Sequence, residues 1–412
     1  MNASRRLDVR ACIVGGGPAG VVLGYLLARA GHSVAILEKH VDFLRDFRGD
    51  TVHPSTMTVL DELGLLDEFL RQPHSEIRQI AGHVGKDTIV IGDFSHVPAK
   101  TKFLAIMPQW DFLNFLSSKA RAHPGFALLM KTEATDVIRD GTRVAGVRAK
   151  DEQGELEIHA DVVVACDGRT STMRSVVGEK PRDLGAPMDV FWMRLSRRPG
   201  DRNAALGYVG AGSILVLIDR DDYWQCGYVI AKGSAEAVRS RGLDAFRAEL
   251  AAMAPVIAGR VGEITSWEDV KLLSVAVDRL ARWYVPGLLF IGDAAHAMSP
   301  IGGVGINLAV QDAVAAANTL GAALKRSGSV TEAVLAAVQR RRMFPTVMTQ
   351  GLQVLIQRRI VAAVLGSRTP PVRAPLAIRV LTSIPGFRRI PAYIVGIGFR
   401  PEHVSREQEP AP

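Results

Sequence analysis

Cysteines and long apolar runs are scarce in this sequence of 412 residues, and each scarcity excludes a class of protein. The 3 cysteines, Cys12, Cys166 and Cys226, form no CxxC pair, which argues against zinc sites and dithiol redox chemistry. Cys12 and Cys166 lie in apolar, strand-like runs that indicate buried, reduced thiols, so we predict a cytoplasmic protein. No apolar run reaches about 18 residues, so we predict no membrane span.

Acidic residues are absent from Ala333 to Pro401, although the chain contains 42 of them. The same segment contains 11 arginines, so the net charge of +8 belongs to the C-terminal region and the rest is slightly acidic. Within it, Gly351 to Arg400 combines apolar faces with paired arginines. It is read either as a helical flap packed on the body of the protein or as a surface for peripheral membrane or protein contact. We predict no nucleic-acid partner.

The N-terminal residues predict a strand, a glycine-rich turn, a helix and a second strand. Asp8 to Val14 is an apolar strand, Ala19 to Ala30 an apolar helix, and Ser33 to Leu37 the next strand. The glycine turn interrupts the apolar stretch, so we do not read the N-terminus as a signal peptide. This βαβ unit is typical of dinucleotide-binding domains.

The turn in that unit, GGGPAG, matches the GxGxxG pattern at Gly15, Gly17 and Gly20. The first glycine permits a tight turn, the second lets backbone approach a pyrophosphate, and the third lets the helix pack on the strand. The helix start offers N–H groups and a positive dipole end to phosphate. Glu38 ends the second strand, where an acid accepts hydrogen bonds from a ribose.

Two later loops carry further signals. The run DGRTSTMR begins at Asp167 and follows the apolar strand ADVVVA. The run FIGDAAHAMSPIGGVGINLAVQDA, from Phe290 to Ala313, passes from a strand through an Asp, a His and three glycines into a helix that begins near Ile306. Bare backbone there predicts close approach of a flat or charged group. We read His296 as a structural residue bonded to a loop carbonyl rather than as a base.

The rest of the chain predicts a β-rich part and a helical end. Residues 77–106 and 187–231 show alternating strand patterns, and hairpin turns are indicated at Asp140-Gly141 and Gln153-Gly154. A helix is predicted at about 243–258. From about residue 306 the pattern is mostly helical.

Together, GGGPAG with Glu38, DGRTSTMR and the Phe290–Ala313 run resemble the class A, single-component FAD-dependent monooxygenases of the para-hydroxybenzoate hydroxylase type. The motifs have that family's order and spacing over roughly residues 8–345. The resemblance implies a mixed α/β (α+β) fold with a Rossmann-like FAD-binding domain, an inserted β-sheet substrate domain and a helical C-terminal region. We predict these domains at 1–76 with 107–181 and 273–345, at 77–106 with 182–272, and at 346–412.

The same resemblance implies non-covalent FAD and a transient NADH or NADPH that has no Rossmann domain of its own. The residues implied to contact FAD are Gly15, Gly17, Ala19, Gly20, Glu38, Lys39, Arg48, Gln109, Asp167, Gly168, Gly292, Asp293, Gly303, Gly305, Ile306 and Asn307. Arg48 matches the family's mobile, phosphate-contacting arginine, whereas Gln109 and Asp293 match residues at the ribitol. Asn307 and Asp312 are also predicted to cap or brace the helix start. No metal site is predicted.

The implied reaction is hydroxylation of an aromatic, phenolic or polyketide-like small molecule by O2, through a flavin C4a-hydroperoxide. Pro300 and Gly303 are expected between flavin and substrate. Tyr208, Tyr223 and Tyr228 are candidates for removing a phenolic proton, and we select Tyr228. The candidate lining of a dry substrate site is Phe191, Trp192 and Trp224.

Three other functions stay open at this point. A flavin-dependent halogenase shares the fold but carries WxWxIP, and no two of the 5 tryptophans here are two positions apart. A reductase of isoprenoid double bonds would not insert oxygen into its product. A non-catalytic FAD-bound scaffold would show no substrate-stimulated oxidation of NAD(P)H. We expect a monomer or a homodimer.

Overall fold

The computed structural model describes residues 5–44, 50–198, 201, 205–220, 222–326 and 330–405. In chain order, the strands of this described part are β1 (Arg5–Val14), β2 (Val34–Glu38), β3 (Thr51–Val52), β4 (Ser75–Ile77), β5 (Gln79–Val84), β6 (Asp87–Asp93), β7 (Leu104–Ile106), β8 (Phe126–Met130), β9 (Glu133–Asp140), β10 (Arg143–Asp151), β11 (Gly154–Ala165), β12 (Arg182–Asp183), β13 (Met188–Ser196), β14 (Ala205–Val209), β15 (Ile214–Asp219), β16 (Tyr223–Ala231), β17 (Lys271–Leu273), β18 (Asp278–Arg279), β19 (Tyr284–Val285), β20 (Leu288–Phe290) and β21 (His296–Ala297).

The α-helices are α1 (Pro18–Arg29), α2 (Pro54–Glu62), α3 (Leu66–Phe69), α4 (Gln109–Ala120), α5 (Thr172–Val177), α6 (Ala235–Arg239), α7 (Leu243–Met253), α8 (Gly305–Arg326), α9 (Glu332–Ile356), α10 (Ala362–Leu365), α11 (Leu376–Ser383) and α12 (Pro385–Gly396). Short 3-10 helices occupy Phe94–His96, Pro255–Glu263, Trp267–Asp269, Gly292–Ala294 and Ile301–Gly303. A π-helical turn, Gln357–Val361, joins α9 to α10. In the described part of the chain, no helix is both long and apolar enough to cross a membrane.

The first large sheet is mostly parallel and has the order β19-β20-β11-β1-β2-β8. The hairpin β9–β10 extends it by pairing with the first half of β11. Helices α1, α4 and α8 contribute to the core on one face, and side chains of the hairpin contribute to the core on the other. Because both faces are covered, the buried ends of the central strands are apolar, as in the last four residues of β1. The carboxyl ends of β1, β2 and β11 consequently meet at one edge.

The second large sheet has seven strands in the order β17-β13-β16-β15-β14-β5-β6. Its pairs are antiparallel except for β14 with β5. Alternate residues of β16 point to opposite faces. The even-numbered ones share a core with α6 and α7, and Val229 on the opposite face clusters with Ile301 of the glycine loop. This sheet therefore presents one helix-covered face and one face toward the loop.

The C-terminal helices cross the seven-stranded sheet and end beside the glycine loop. Helix α12 packs on β6, where Ala392 lies next to Gly92. At its end, the carbonyl of Gly396 accepts a hydrogen bond from Ser55 Oγ at 3.0 Å. The inner side of this region thus contacts both large parts of the protein.

The mixed α/β fold and the helical C-terminal region predicted from the sequence are confirmed. The hairpin turns at Gly141 and Gly154 lie between β9, β10 and β11, and both glycines have positive φ. The helix predicted to end near residue 258 stops at Met253 and continues as a 3-10 helix. Pro255 explains this change, because proline cannot donate the α-helical hydrogen bond. The domain boundaries remain predictions.

Candidate active site

Two glycines of the N-terminal turn are required by the packing of the protein itself. Gly15 has a φ of 105°, and a Cβ on it would lie 2.4 Å from the carbonyl oxygen of Cys166. A Cβ on Gly20 would lie 2.0 Å from the carbonyl oxygen of Gly15. A side chain at either position would displace backbone atoms, so both glycines are explained without a ligand.

Gly17 has no such explanation within the protein. Its φ of −76° suits other residues, and an added Cβ would meet no atom of the described residues within 4 Å. It is also the N-cap of α1, and it makes no side-chain hydrogen bond to that helix start. The turn therefore leaves an open cradle in front of backbone N–H groups, which has the shape and polarity that bind a pyrophosphate.

Glu38 is buried at the end of β2, beside the same turn. Its Oε2 accepts a hydrogen bond from the N–H of Gly16 at 3.1 Å, and its Oε1 accepts one from the N–H of His40 at 3.0 Å. His40 Nδ1 also lies 2.6 Å from Oε1, so a ribose bound here would share the acceptor positions of Glu38 with the turn and with His40. Lys39 is exposed next to it. Arg48, the predicted phosphate contact, lies outside the described residues.

The second motif follows β11 and reaches the third. Gly168 has a φ of 80°. Asp167 Oδ2 accepts a hydrogen bond from the N–H of Met173 at 3.0 Å, whereas its Oδ1 is buried and has no partner among the described residues. Burial raises the pKa of Asp167, although nearby hydrogen bonds oppose the shift. Arg169 Nε donates to Asp293 Oδ2 at 3.1 Å, which joins the two motifs.

The third motif begins by packing on the first. Gly292 has a φ of 59°, and a Cβ on it would lie 3.2 Å from the Cβ of Ala19. The N–H of Gly292 donates to Asp312 Oδ2 at 3.1 Å. Asp293, the next residue, keeps 30% of its side chain exposed. The three motifs, far apart in sequence, therefore meet at the carboxyl edge of the first sheet.

A buried ionic network fixes the start of α8. His296 Nε2 lies 2.6 Å from Asp312 Oδ2, so His296 is bonded to a carboxylate and not to the loop carbonyl that we predicted. Arg342 Nε donates to Asp312 Oδ1 at 2.8 Å, and Arg342 Nη1 lies 3.3 Å from Glu402 Oε1. Burial alone would raise the pKa of Asp312, but His296 and Arg342 hold it below its usual value. Within the described ranges, no group of three or more His, Cys, Asp or Glu residues could hold a metal ion.

The glycine loop runs from Pro300 to Gly303, and its two glycines adopt the left-handed backbone that favours glycine. Gly302 has a φ of 80° and Gly303 a φ of 64°. A Cβ on Gly303 would lie 2.9 Å from Thr51 Oγ1. His53 Nε2 lies 3.2 Å from the carbonyl oxygen of Gly302, and burial lowers the pKa of His53 to about 4. A neutral His53 that donates from Nε2 therefore holds the loop.

Helix α8 begins directly after this loop. A Cβ on Gly305 would meet nothing within 4 Å, which leaves open space at the helix start. Ile306 packs in the core of the first sheet. Asn307 Oδ1 accepts hydrogen bonds from Ser55 Oγ at 2.8 Å and from Thr56 Oγ1 at 2.7 Å. Asn307 thus braces the start of α8, as was also predicted, through partners on α2. The backbone N–H groups are what the helix start offers to a cofactor.

An ion pair connects the seven-stranded sheet to the segment before β3, close to the loop. Gln109, predicted at the ribitol, begins α4, and its N–H donates to Asp50 Oδ1 at 3.4 Å. The other oxygen of Asp50 is paired with Arg220, which follows β15. Arg220 Nε also donates to Gln225 Oε1 at 2.8 Å. Burial raises the pKa of Asp50, and Arg220 opposes that shift.

Three glutamines, on α9 and the π-helical turn, donate hydrogen bonds to the glycine loop and the residues just before it. The sequence analysis did not predict these residues. Gln353 Nε2 donates to the carbonyls of Ser299 at 3.0 Å and Ile301 at 2.9 Å. Gln357 Nε2 donates to Ser299 Oγ at 2.7 Å, and Gln350 holds the carbonyl that ends β21 at 2.9 Å. All three are buried. Their spacing of three and four residues, one side of a helix, was the available signal.

The structure places Tyr228 on the helix-covered face of the seven-stranded sheet. Its hydroxyl donates to Glu249 of α7, and burial raises its pKa. Phe191 and Trp224, two of the predicted lining residues, share that core. Because this face is turned away from the glycine loop, we assign these three residues no role in the reaction.

The opposite face carries the residues that approach the loop. Trp192 clusters with Val229 and Ile301, and a Cβ on Gly227 would lie 2.9 Å from its ring. The indole Nε1 of Trp192 is buried without a partner among the described residues. Tyr223 is odd-numbered like Val229 and so belongs to this face, where the guanidinium of Arg194 lies 4.8 Å from its ring centroid.

Comparisons with known proteins agree with this arrangement. The model of the FAD binding domain family matches residues 8–351. The chain is 34% identical over 379 residues to 6-methylpretetramide 4-monooxygenase of Streptomyces rimosus, covering 89% of this chain and 90% of the relative. It is 25% identical over 346 residues to para-nitrophenol 4-monooxygenase of Pseudomonas sp. (strain WBC-3), covering 81% and 82%. The crystal structure of Pseudomonas aeruginosa PqsL with 2-aminobenzoylacetate shares the fold, with a TM-score of 0.75, 22% identity and coverage of 87% and 100%.

Proposed function

This chain belongs to the FAD binding domain family and to the class A flavoprotein monooxygenases, and from that premise we propose that it hydroxylates an aromatic, phenolic small molecule. It is an FAD-dependent oxidoreductase that takes a small-molecule substrate and O2. The finer parts of the proposal are the phenolic class of the substrate, reduction by NADH or NADPH, and the roles of individual residues. One of the relatives acts, by its name, on para-nitrophenol, which is a phenol.

The observation that carries the proposal is the open cradle at Gly17, where the three motifs meet. No atom of the described residues lies within 4 Å of a Cβ built on Gly17, and Asp167 Oδ1 next to the second motif is buried without a partner among those residues. Buried polar atoms are rarely left unpaired, so both features indicate a polar ligand. The residues present fit FAD, held non-covalently by the glycine turn at the pyrophosphate and by Glu38 at the adenosine ribose.

When bound, FAD accepts a hydride from reduced nicotinamide and activates O2 for transfer to the substrate. The protein supplies position and charge for that chemistry. Gly302 and Gly303 clear side chains from the loop, and the 22-residue helix α8 directs its N-terminal N–H groups and positive dipole end to the same place. Negative charge beside Gly305 is therefore stabilised by preorganised backbone.

The substrate site that we propose lies between the loop at Pro300 to Gly303 and the loop-facing side of the seven-stranded sheet. Ile301, Trp192 and Val229 line it with apolar surface, which excludes water and protects oxygen transfer from side reactions. The free indole N–H of Trp192 can donate to an oxygen of the substrate. Among the three tyrosines considered, Tyr223 is the one that β16 turns toward this side.

Product analysis under labelled oxygen tests the proposed function. The protein, reduced with NADPH or NADH, is supplied with phenolic and polyketide-like compounds, and the compound that most accelerates flavin reduction is turned over under ¹⁸O₂. We expect one labelled oxygen atom in the product. A product with two added hydrogens would indicate a reductase, a product that needs chloride would indicate a halogenase, and no accelerated reduction with any compound would favour a scaffold. Each of these results would overturn the proposal.

A further inference from the structure

Large apolar side chains are exposed mainly in one part of this protein. Among the described residues, 13 of 17 such side chains lie between Phe344 and Tyr393. Eight of the 13 follow one another along α11, α12 and the segment before them, and we call these the C-terminal apolar surface. They are Val372, Leu376, Ile378, Val380, Leu381, Ile384, Ile390 and Tyr393.

This surface belongs to an anchored part of the fold. The N–H of Ala374 donates to Asp87 Oδ2 at 3.0 Å, and Arg379 Nε lies 3.7 Å from the same oxygen. Ala392 is buried against β6. The helices thus use other residues to pack on the protein, and the exposed apolar side chains are surplus to that packing. Exposed apolar surface of this extent marks an interaction site.

The chain segment that forms this surface carries basic residues and no acidic ones. Arg359, Arg368, Arg373, Arg379 and Arg389 are exposed in the same region. No acidic residue occurs from Ala333 to Pro401 in the sequence. In a two-fold dimer the same surface faces itself, so the exposed arginines would meet one another, and the Asp87 carboxylate at this surface already lies beside Arg379. A second copy of this chain is therefore a poor occupant, and an anionic one is favoured.

The shape of α11 distinguishes a membrane from an acidic protein. Leu376, Val380 and Leu381 are 71%, 54% and 41% exposed, so the helix protrudes and forms no groove for a protein segment. A protruding apolar helix can enter the boundary between headgroups and acyl chains, while arginine stems lie along the apolar part and their guanidinium groups reach phosphate. We propose that the C-terminal apolar surface docks this protein on an anionic phospholipid membrane.

Docking would place the wall of the candidate active site at the lipid surface. Val395, on the inner side of α12, packs beside Gly302 of the glycine loop. The inference does not depend on the hydroxylation proposed above, because it rests on the exposure and charge of α11 and its neighbours.

Vesicle flotation tests the proposal with the full chain. The protein is floated with vesicles of phosphatidylcholine alone and with vesicles of phosphatidylcholine mixed with phosphatidylglycerol. We expect recovery only with the anionic vesicles, and release of the protein by added salt. The variant R359Q/R389Q should partition about thirtyfold more weakly, since two basic contacts are lost. The variant L376S/L381S should also lose partition.

Matched controls separate this surface from general stickiness. Leu272→Ser changes another exposed apolar residue, on β17, and Arg139→Gln another exposed arginine, on β9. Both should float like the unchanged protein. Equal recovery with neutral and anionic vesicles, no recovery with either, or equal loss in the controls would overturn the proposal. So would a dimer in solution that L376S/L381S converts to a monomer, because the surface would then be a subunit interface. If a variant fails to fold, release of the unchanged protein from anionic vesicles by salt still tests the proposal, and no release would contradict it.

Discussion

At Gly17, cofactor binding can be separated from folding. Its backbone suits alanine, and an added methyl group would enter only the open cradle. We expect Gly17→Ala to change the stability of the apoprotein by no more than about 1 kcal/mol, the usual scale of an N-cap change, yet to weaken FAD binding at least about tenfold. Fluorescence titration of apoprotein with FAD and thermal unfolding of the apoprotein measure the two effects.

Gly262→Ala is the matched control for that change, because a Cβ there also meets nothing within 4 Å and the residue lies far along the chain in the 3-10 helix Pro255–Glu263. It should leave FAD affinity unchanged. Equal FAD affinity in Gly17→Ala and the unchanged protein would show that the cradle is not the pyrophosphate site.

His53 gives the protein an acid-sensitive residue at the glycine loop. Its pKa is about 4 in the folded state, against 6.5 as its ordinary value, because it is buried. Between these values the unfolded chain binds a proton that the folded chain does not, so stability falls as pH falls through this window. The loss is about 3 kcal/mol at most. The urea unfolding midpoint should fall between pH 7.5 and pH 4.5, and it should fall less for His53→Gln than for the unchanged protein. An equal fall in the two proteins would refute this prediction.

Single residues were predictable from the sequence where their role is local. The packing roles of Gly15 and Gly20 belong to a turn and a helix start that are neighbours in sequence, so their spacing indicated these roles, whereas the ribose contact of Glu38 stays a prediction. Asn307 and Tyr228 behave differently. The hydroxyl partners of Asn307 come from α2, 252 and 251 residues away, and nothing in β16 tells which of its faces α7 covers. Their side-chain contacts had to be read from the structure.

At the scale of elements, periodicity predicted helices and hairpins but not which side of a helix faces inward. The hairpin turns β9–β10 and β10–β11 were found because Asp-Gly and Gln-Gly encode local backbone geometry. Helix α9 was expected as part of a helical end, yet the buried side of its last turns carries Thr346, Thr349, Gln350 and Gln353 instead of apolar residues. The cause is that this side packs on a loop whose carbonyl groups need donors, and not on another apolar helix.

Gln353 is the residue of α9 that most directly positions the glycine loop. Gln353→Leu removes bonds to two carbonyls and to the N–H of Ser299, which lies 3.2 Å from Oε1, and it leaves those buried groups unpaired. Each unpaired group costs about 1–3 kcal/mol unless the loop moves. We therefore expect a displaced loop, with FAD still bound but more hydrogen peroxide formed per NAD(P)H oxidised. Peroxide and product yields measure this ratio.

Gln350→Leu is the matched control. Gln350 donates to the carbonyls of Asp278 at 2.7 Å and Ala297 at 2.9 Å, which precede the glycine loop and are not part of it. This variant should destabilise the protein to a similar degree and raise peroxide less. If both variants raise peroxide equally, the effect belongs to general destabilisation and Gln353 has no positioning role.

At the scale of the whole molecule, the contact between the seven-stranded sheet and the region of the glycine loop depends on a pair that sequence patterns cannot reveal. Asp50 precedes β3, which lies beside the glycine loop, and Arg220 follows β15 of the other sheet, 170 residues later. Strand patterns predicted that both sheets exist, and the resemblance implied their order. Neither could indicate that a buried ion pair joins the seven-stranded sheet to the segment before β3, because an arginine and an aspartate at distant positions have no local signature.

Arg220→Met should break this connection. It leaves the Asp50 carboxylate buried without its cation, which typically costs about 3–5 kcal/mol, and Asp50→Asn in the same chain should recover most of the loss. Because the pair connects the seven-stranded sheet to the segment beside the glycine loop, Arg220→Met should also uncouple NAD(P)H oxidation from product formation. Unfolding midpoints and peroxide yields of the two single variants and the double variant measure the coupling.

The pH dependence and a second ion pair decide whether this effect is specific. Burial already raises the pKa of Asp50, and without Arg220 it rises further. The folded variant then holds a proton that the unfolded chain releases, so its stability should fall as pH rises, a trend that Asp50→Asn removes. Arg260, in the 3-10 helix Pro255–Glu263, pairs at 2.6 Å with Asp201, which lies between strands β13 and β14 of the seven-stranded sheet. Arg260→Met should therefore destabilise the protein without raising the yield of hydrogen peroxide. If Arg260→Met and Arg220→Met raise that yield equally, the Asp50–Arg220 pair does not align the substrate with the loop.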